Sequence, residues 1–325
     1  MNPTDNEHYV PRVHLRLFTR QFRDQQLRDP AHQHYCTING DVRVYYRDGR
    51  RPQWRPVKRV ASDSQFYDLD PAWDPVISSP KIIEDKMQDV ENRFGPELRA
   101  ILEAVLPAGF PKVPSRRSTE RVCFAADRQK WAVIAEFMAY QLVRTKLFRQ
   151  QTTKQYRQAG SPASQAESLA IRTIAPWLIE PTQPNLFAQA LTGGIWIFAV
   201  DDHAEPLCTS DHPVIGYFHS EEAVLTGGVT LSPPSSVFLF PLSYQVMLLV
   251  LERTWWKDKR LPAFARYARN LDGFRVNASV ADVEWWNWLR AQNCESAIFA
   301  PVDDARLARF GSRPTSAQHI SLVPE

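Results

Sequence analysis

The apolar residues of this chain change their period near residue 195, and that change restricts the fold more than any other feature. Before it, apolar side chains recur three and four residues apart, as in Trp131, Ile134, Ala135, Met138 and Leu142, the spacing of a helix face turned to a core. After it come short β-rich runs at 196–200, 207–209, 236–240 and 246–251, separated by turn residues such as Asp201-Asp202 and Ser232-Pro233-Pro234. A helical pattern then returns at 283–293, with Ser279 as its N-cap, Asp282 three residues on and a face of Trp285, Trp288 and Leu289. Helices followed by strands predict an α+β fold: a helical half packed on a small antiparallel sheet, in a single domain. Within residues 1–325 the expected order is an N-terminal anchor and hairpin (1–60), a mainly helical part (82–180), the small sheet (193–252), and a C-terminal helix and strand (262–300).

Local signals refine the helical half. Residues 41–47 and 53–60 flank Asp48-Gly49, a β-hairpin turn signal, and Pro52 and Pro56 push the second arm to a sheet edge. Residues 82–106 predict an amphipathic helix interrupted near Gly95-Pro96. A long helical pattern starts near Asp127. Its second stripe, Phe137, Gln141, Arg144 and Phe148, places Gln141 and Arg144 at the edge of the buried face, and Lys146, Arg149, Thr153 and Arg157 lie on an outer face.

Charge is segregated along the chain although the net charge is only +3. The first sixty residues carry twelve bases against six acids, residues 63–103 four bases against ten acids, and residues 112–157 eleven bases against three acids. The acidic stretch reads as a solvated face. The basic ridges at Arg12–Arg28 and Lys146–Arg157 read either as solvated helix surfaces or as phosphate contacts. So modest a net charge excludes a histone-like binder.

Several chemistries lack their motifs. Glycine, at 12 residues, is about half its usual ~7 % share, and neither G-x-G-x-x-G nor G-x-x-x-x-G-K occurs. No G-x-S-x-G, H-E-x-x-H or D-x-D-x-D-G is present either, so an active site would have to be assembled from distant segments. Cys36, Cys123, Cys208 and Cys294 stand more than eighty residues apart, which predicts free buried thiols of a cytoplasmic protein. The first eight residues are polar, with no secretory pattern, and the apolar run 237–251 is broken and too short for a bilayer, so no membrane is expected as a partner.

Four polar clusters sit in apolar sequence, where a polar side chain costs free energy unless it finds a partner. His8-Tyr-Val-Pro-Arg12 suits a general base, a phosphate contact or a hydrogen-bonded anchor. Gln141 and Arg144 suit a salt bridge or bidentate anion recognition. Thr209-Ser-Asp-His-Pro213 follows a strand; it is ordinary turn chemistry, or else Asp211 and His212 form an acid/base or metal pair. His32, His34 and Cys36 alternate, a spacing atypical of zinc sites, and Asp29-Pro30-Ala31 reads as a loop, so no metal is assigned there.

Taken in order, His8-Tyr-Val-Pro-Arg12 leading to Leu15 and Phe18, Gln141-Leu-Val-Arg144-Thr145, Thr209-Ser-Asp-His-Pro213, Phe240-Pro-Leu-Ser243, and a last helix with Asn287 before Ser296-Ala-Ile-Phe299 resemble the bacterial family called domain of unknown function 4238. The HYVPR opening and the SD-x-P turn are the most specific pieces. The family pattern favours Asn where this chain has His212, which makes Asp211 the better candidate for an obligatory role. The resemblance implies a product of a bacterial phage-defence locus and no particular reaction.

Two expectations follow. In the first, the protein is an anti-phage effector, nuclease-like or nucleic-acid-binding. His8, Arg144 and Asp211 then form the catalytic group, with Asp211 holding Mg²⁺ or Mn²⁺, while Arg12, Gln141, His212, Lys146 and Arg149 bind the substrate. In the second, it is a non-enzymatic sensor that recognises a phage protein, the polar cluster is structural, and tryptophan pairs such as Trp255-Trp256 and Trp285-Trp286 supply contact surface.

Overall fold

The computed structural model describes residues 7–28, 39–63, 82–106, 120–121, 128–180, 182–201, 205–218, 223–224, 236–252, 272–304 and 306–307. The chain opens with β1 (Glu7–His8), α1 (Arg12–Leu15), a single 3₁₀ turn (Arg16–Phe18) and α2 (Arg20–Arg28). The hairpin β2 (Asp41–Tyr46) and β3 (Gln53–Pro56) and the short β4 (Ser62–Asp63) follow. Then come α3 (Ile82–Val105), β5 (Glu120–Arg121), and four helices, α4 (Arg128–Val143), α5 (Lys146–Gln158), α6 (Ala163–Ile179) and α7 (Thr182–Thr192). Six strands are next: β6 (Ile195–Val200), β7 (Thr209–Ser210), β8 (Ile215–Phe218), β9 (Ala223–Val224), β10 (Ser236–Pro241) and β11 (Val246–Leu251). β12 (Phe274–Asn277), α8 (Val280–Asn293) and β13 (Ala297–Ala300) complete the order. The α+β class stands.

The strands form a seven-stranded sheet in the order β5-β12-β6-β11-β10-β8-β9, a four-stranded sheet β3-β2-β13-β7, and the ribbon β1-β4. Every pairing is antiparallel except β12 with β6. The expected run at 207–209 belongs to the second sheet as β7, and the small single sheet becomes two. Ser232-Pro233-Pro234, Trp255-Trp256, the His32, His34 and Cys36 alternation, Cys123 and Asp127 lie outside the described residues.

The large sheet is covered on both faces. Trp196, Phe198, Val200, Phe238, Phe240, Leu248 and Val250 point into a core shared with α3, α4 and α7. Their neighbours Ile195, Ile197, Ala199, Val237, Leu239, Met247 and Leu249 pack with Val283, Trp285, Trp286 and Leu289 of α8. Two buried faces explain why β6, β10 and β11 are apolar throughout instead of alternating. The Trp285-Trp286 pair is therefore core and offers no contact surface.

Three local expectations change. α3 runs unbroken through Pro96, which lacks the N–H that would bond Asn92 O, a defect of about 3 kcal/mol. Burial of Met87, Val90, Phe94, Leu98 and Ile101, at about 1.5–3 kcal/mol each, offsets it, and Phe94 stacks on Phe137 of α4 with ring centroids 3.5 Å apart. The long pattern from 127 divides at Arg144-Thr145, where Thr145 Oγ1 accepts from Phe148 N and starts α5. Thr153 is buried, with its hydroxyl donating to Arg149 O, so it leaves the outer face assigned to it. The Asp48-Gly49 turn, with Gly49 at φ 81°, and the edge position of β3 are as expected.

Candidate functional site

The break between α4 and α5 is where the distant segments meet. It frees two adjacent residues from helix geometry, and each reaches a different partner. Arg144, only 2 % exposed, donates from Nη1 to Glu91 Oε1 of α3 at 3.0 Å and from Nη2 to the His8 carbonyl of β1. Thr145 Oγ1 lies 2.8 Å from His212 Nδ1 in the turn after β7. The opening, the mid-chain arginine and the later turn thus share one locality.

The opening segment is held by backbone. β1 pairs with β4, Tyr9 N donates to Ala61 O at 3.1 Å, and Pro11 precedes α1. His8 is half-buried. Burial, then the charges of Arg12 and Arg144, hold its imidazole down at about 4, against a hydrogen bond with the Val60 backbone, and Nδ1 has no hydrogen-bond partner. Burial pushes the Glu91 carboxyl up, and Arg144 pulls it back. His14, fully buried, places Nε2 2.7 Å from Pro241 O and packs against Phe18 and Phe240; burial lowers it to about 4.

Asp211 is committed elsewhere. Its carboxylate accepts from three successive backbone amides, Glu295 N (3.0 Å), Ser296 N (2.5 Å) and Ala297 N (3.2 Å), and its own N–H donates to Ala297 O at 3.2 Å. Burial raises it to about 6, although each of these hydrogen bonds favours the charged form. The side chain welds the turn after β7 to the start of β13. Both oxygens are spent on N–H donors, and no group of three or more His, Cys, Asp or Glu among the described residues is arranged to hold a metal. Mg²⁺ or Mn²⁺ does not fit at Asp211.

The same turn is gripped by α8. Asn287 Oδ1 accepts from Cys208 N at 2.9 Å and Nδ2 donates to Pro206 O at 3.0 Å, while Arg290 Nη1 donates to Pro213 O at 2.7 Å. Burial and the Arg290 charge hold His212 at about 3, so it is a neutral imidazole.

The remaining site residues spread out. Gln141 is fully buried one turn before Thr145, with neither amide atom hydrogen-bonded, instead of lying at the edge of the core. Arg12 is exposed. Lys146 pairs with Asp63 at 2.8 Å over the Tyr9 ring, and Arg149 with Glu167 at 2.8 Å. The other ridge is also partly neutralised, Arg20 and Arg23 both facing Asp24. Sequence reasoning missed Arg290, Glu91 and His14. Arg290 had a legible signal: Val283, Trp286 and Arg290 recur at three and four residues, which puts a cation on an apolar stripe. Glu91 and His14 carried none.

A family model described as protein of unknown function (DUF4238) matches residues 6–301. The chain belongs to that family. The DUF4238 match runs from the residue before β1 to the residue after β13, so it spans every segment of this cluster. No curated protein and no solved structure matches the chain. No helix among the described residues is long and apolar enough to cross a membrane.

Proposed function

We propose that this protein acts by recognition: a non-enzymatic sensor of bacterial anti-phage defence, working in the cytoplasm on a phage protein, with the polar cluster as the lock that holds the N-terminal segment to both sheets. The observation carrying this reading is Asp211, which is buried and uses both carboxylate oxygens to bind three backbone N–H donors, as a structural clasp does. Arg144 supports it too, since both of its terminal nitrogens are spent on Glu91 and on the His8 carbonyl. The test is incubation of purified protein with RNA, DNA and nucleotides, with and without Mg²⁺ or Mn²⁺. Inertness, together with saturable binding to a phage protein, is expected; cleavage abolished by EDTA overturns the reading.

A second reading rests on His8. A neutral, half-buried imidazole beside the exposed Arg12 suits an anti-phage effector that binds nucleic acid through this opening. Its mark would be binding that weakens with salt and is lost in Arg12→Ala while the fold is kept.

A further inference from the structure

Among the described residues Arg290 is a fully enclosed charge and has no carboxylate partner. It is fully buried, and its one hydrogen bond runs from Nη1 to the Pro213 carbonyl. Nε and Nη2 are both buried without a partner. In a guanidinium those two nitrogens form one edge, with parallel N–H bonds spaced to meet the two oxygens of a carboxylate or phosphate. The Nη1 bond fixes the plane, so this edge is held in place and its acceptor is missing. Buried polar atoms are normally satisfied, and a buried cation is normally paired.

Two further polar groups among the described residues are buried without a hydrogen bond, one of them on β7, which packs against α8. Thr209 Oγ1 is buried and unbonded in β7, the strand that leads into the gripped turn. The Gln141 amide is buried and unbonded one helical turn before Thr145, whose hydroxyl holds the ring of His212. The other titratable groups that sense Arg290 are neutral at pH 7: burial and, after it, the Arg290 charge lower His14 and His212, and burial keeps Cys208 and Cys294 as thiols. Asp211, mostly ionised at pH 7, spends its carboxylate on the amides of 295–297, so the Nε–Nη2 edge of Arg290 meets no paired anion among the described residues.

We infer that Arg290 is an internal oxyanion receptor: its Nε–Nη2 edge binds the carboxylate or phosphate of a small ligand enclosed between α8 and β7, with Thr209 supplying a neutral hydrogen bond. The site goes beyond the recognition reading and stands whether or not that reading holds.

The experiment uses the full chain. Protein purified without phosphate is denatured in acid, and the released small molecules are identified by mass spectrometry. Thermal unfolding is then followed against sodium phosphate and sodium acetate at constant ionic strength, with chloride as the balancing salt. A stoichiometric released oxyanion, or a saturable rise of roughly 5 °C at a hundredfold excess over Kd, is the expected result. The released mass separates a free inorganic ion from the head group of a larger metabolite, and the more effective salt separates phosphate from carboxylate. Arg290→Lys, which keeps the charge without the edge, should lose the rise. Neither a released anion nor a saturable rise in the wild type overturns the proposal, whatever the variants do. An Arg290→Met protein more stable than wild type in every salt also overturns it, because that is how an uncompensated buried charge behaves.

Discussion

Thr145 Oγ1 and His212 Nδ1, 67 residues apart in the chain, lie 2.8 Å from each other in the interior. The same hydroxyl accepts from Phe148 N, so it both starts α5 and ties the helical half to the turn after β7. Thr145→Val, nearly isosteric, should cost about 2 kcal/mol by combining a lost N-cap with an unpaired buried imidazole, and Thr145→Ser should recover most of it. Urea midpoints at constant slope measure both.

Arg144 bridges α3 and β1. Arg144→Met should cost about 3–5 kcal/mol, since it strands Glu91 and the His8 carbonyl. Glu91→Gln should cost less, because Glu91 keeps 27 % of its side chain exposed and solvent can replace part of the pairing. Loss of binding to a phage component in step with stability would mark Arg144 as structural; loss of binding in a fully folded variant would assign it a contact role.

Acid should destabilise the fold between pH 6.5 and about 4. His8, His14 and His212 sit at about 4, 4 and 3 when folded and near 6.5 when unfolded, so in that window the unfolded chain binds more protons and stability falls as pH falls. Asp211, raised from 3.8 to about 6, works the other way, gaining stability as pH drops through 6. Glu91, which burial also raises, works in the same direction as Asp211, and three imidazoles against two carboxyls leave a net loss, at about 1.4 kcal/mol per pH unit for each net proton. His212→Asn should flatten the curve of unfolding free energy against pH; an unchanged slope would mean that His212 titrates normally.

Cys208 and Cys294 should resist thiol reagents until the chain unfolds. Burial pushes Cys208 up to about 12 and Cys294 higher still, and both are enclosed. Mass mapping after a pulse of iodoacetamide at pH 8, with and without urea, reads this at each position.

Gly194, between α7 and β6, has no room for a side chain: a Cβ would sit 2.7 Å from Val250 Cγ1 and 2.9 Å from Leu251 O. Gly194→Ala should cost about 1–3 kcal/mol by forcing the end of β11 away. A melting temperature matching wild type would contradict the close approach.

Elements announced by local chemistry were legible in the sequence. Asp48-Gly49 with Pro52 and Pro56 marks a hairpin with an edge arm, and Ser279 with Asp282 forms the capping box at the start of α8. The break at Thr145 was hidden because Phe137, Gln141, Arg144 and Phe148 keep helical spacing across it, while the Thr145 cap and the contacts of Arg144 with Glu91 and of Thr145 with His212 hold it. Pro96 misled in the other direction, since a local defect was outweighed by burial along the whole of α3. At the site, the meeting of His8, Arg144 and the 209–213 turn could be anticipated from polar residues set in apolar sequence. The capture of Asp211 by the amides of 295–297 depends on contacts more than eighty residues away, which no local pattern encodes.

β2 and β13 are neighbours in one sheet although more than 250 positions separate them. During synthesis the early hairpin therefore has no mate for its inner strand until the last helix has emerged from the ribosome, and its open edge stays available to any other extended chain. Folding of this sheet waits on the β2–β13 pairing, which makes chains lacking β13 the ones most in need of a chaperone.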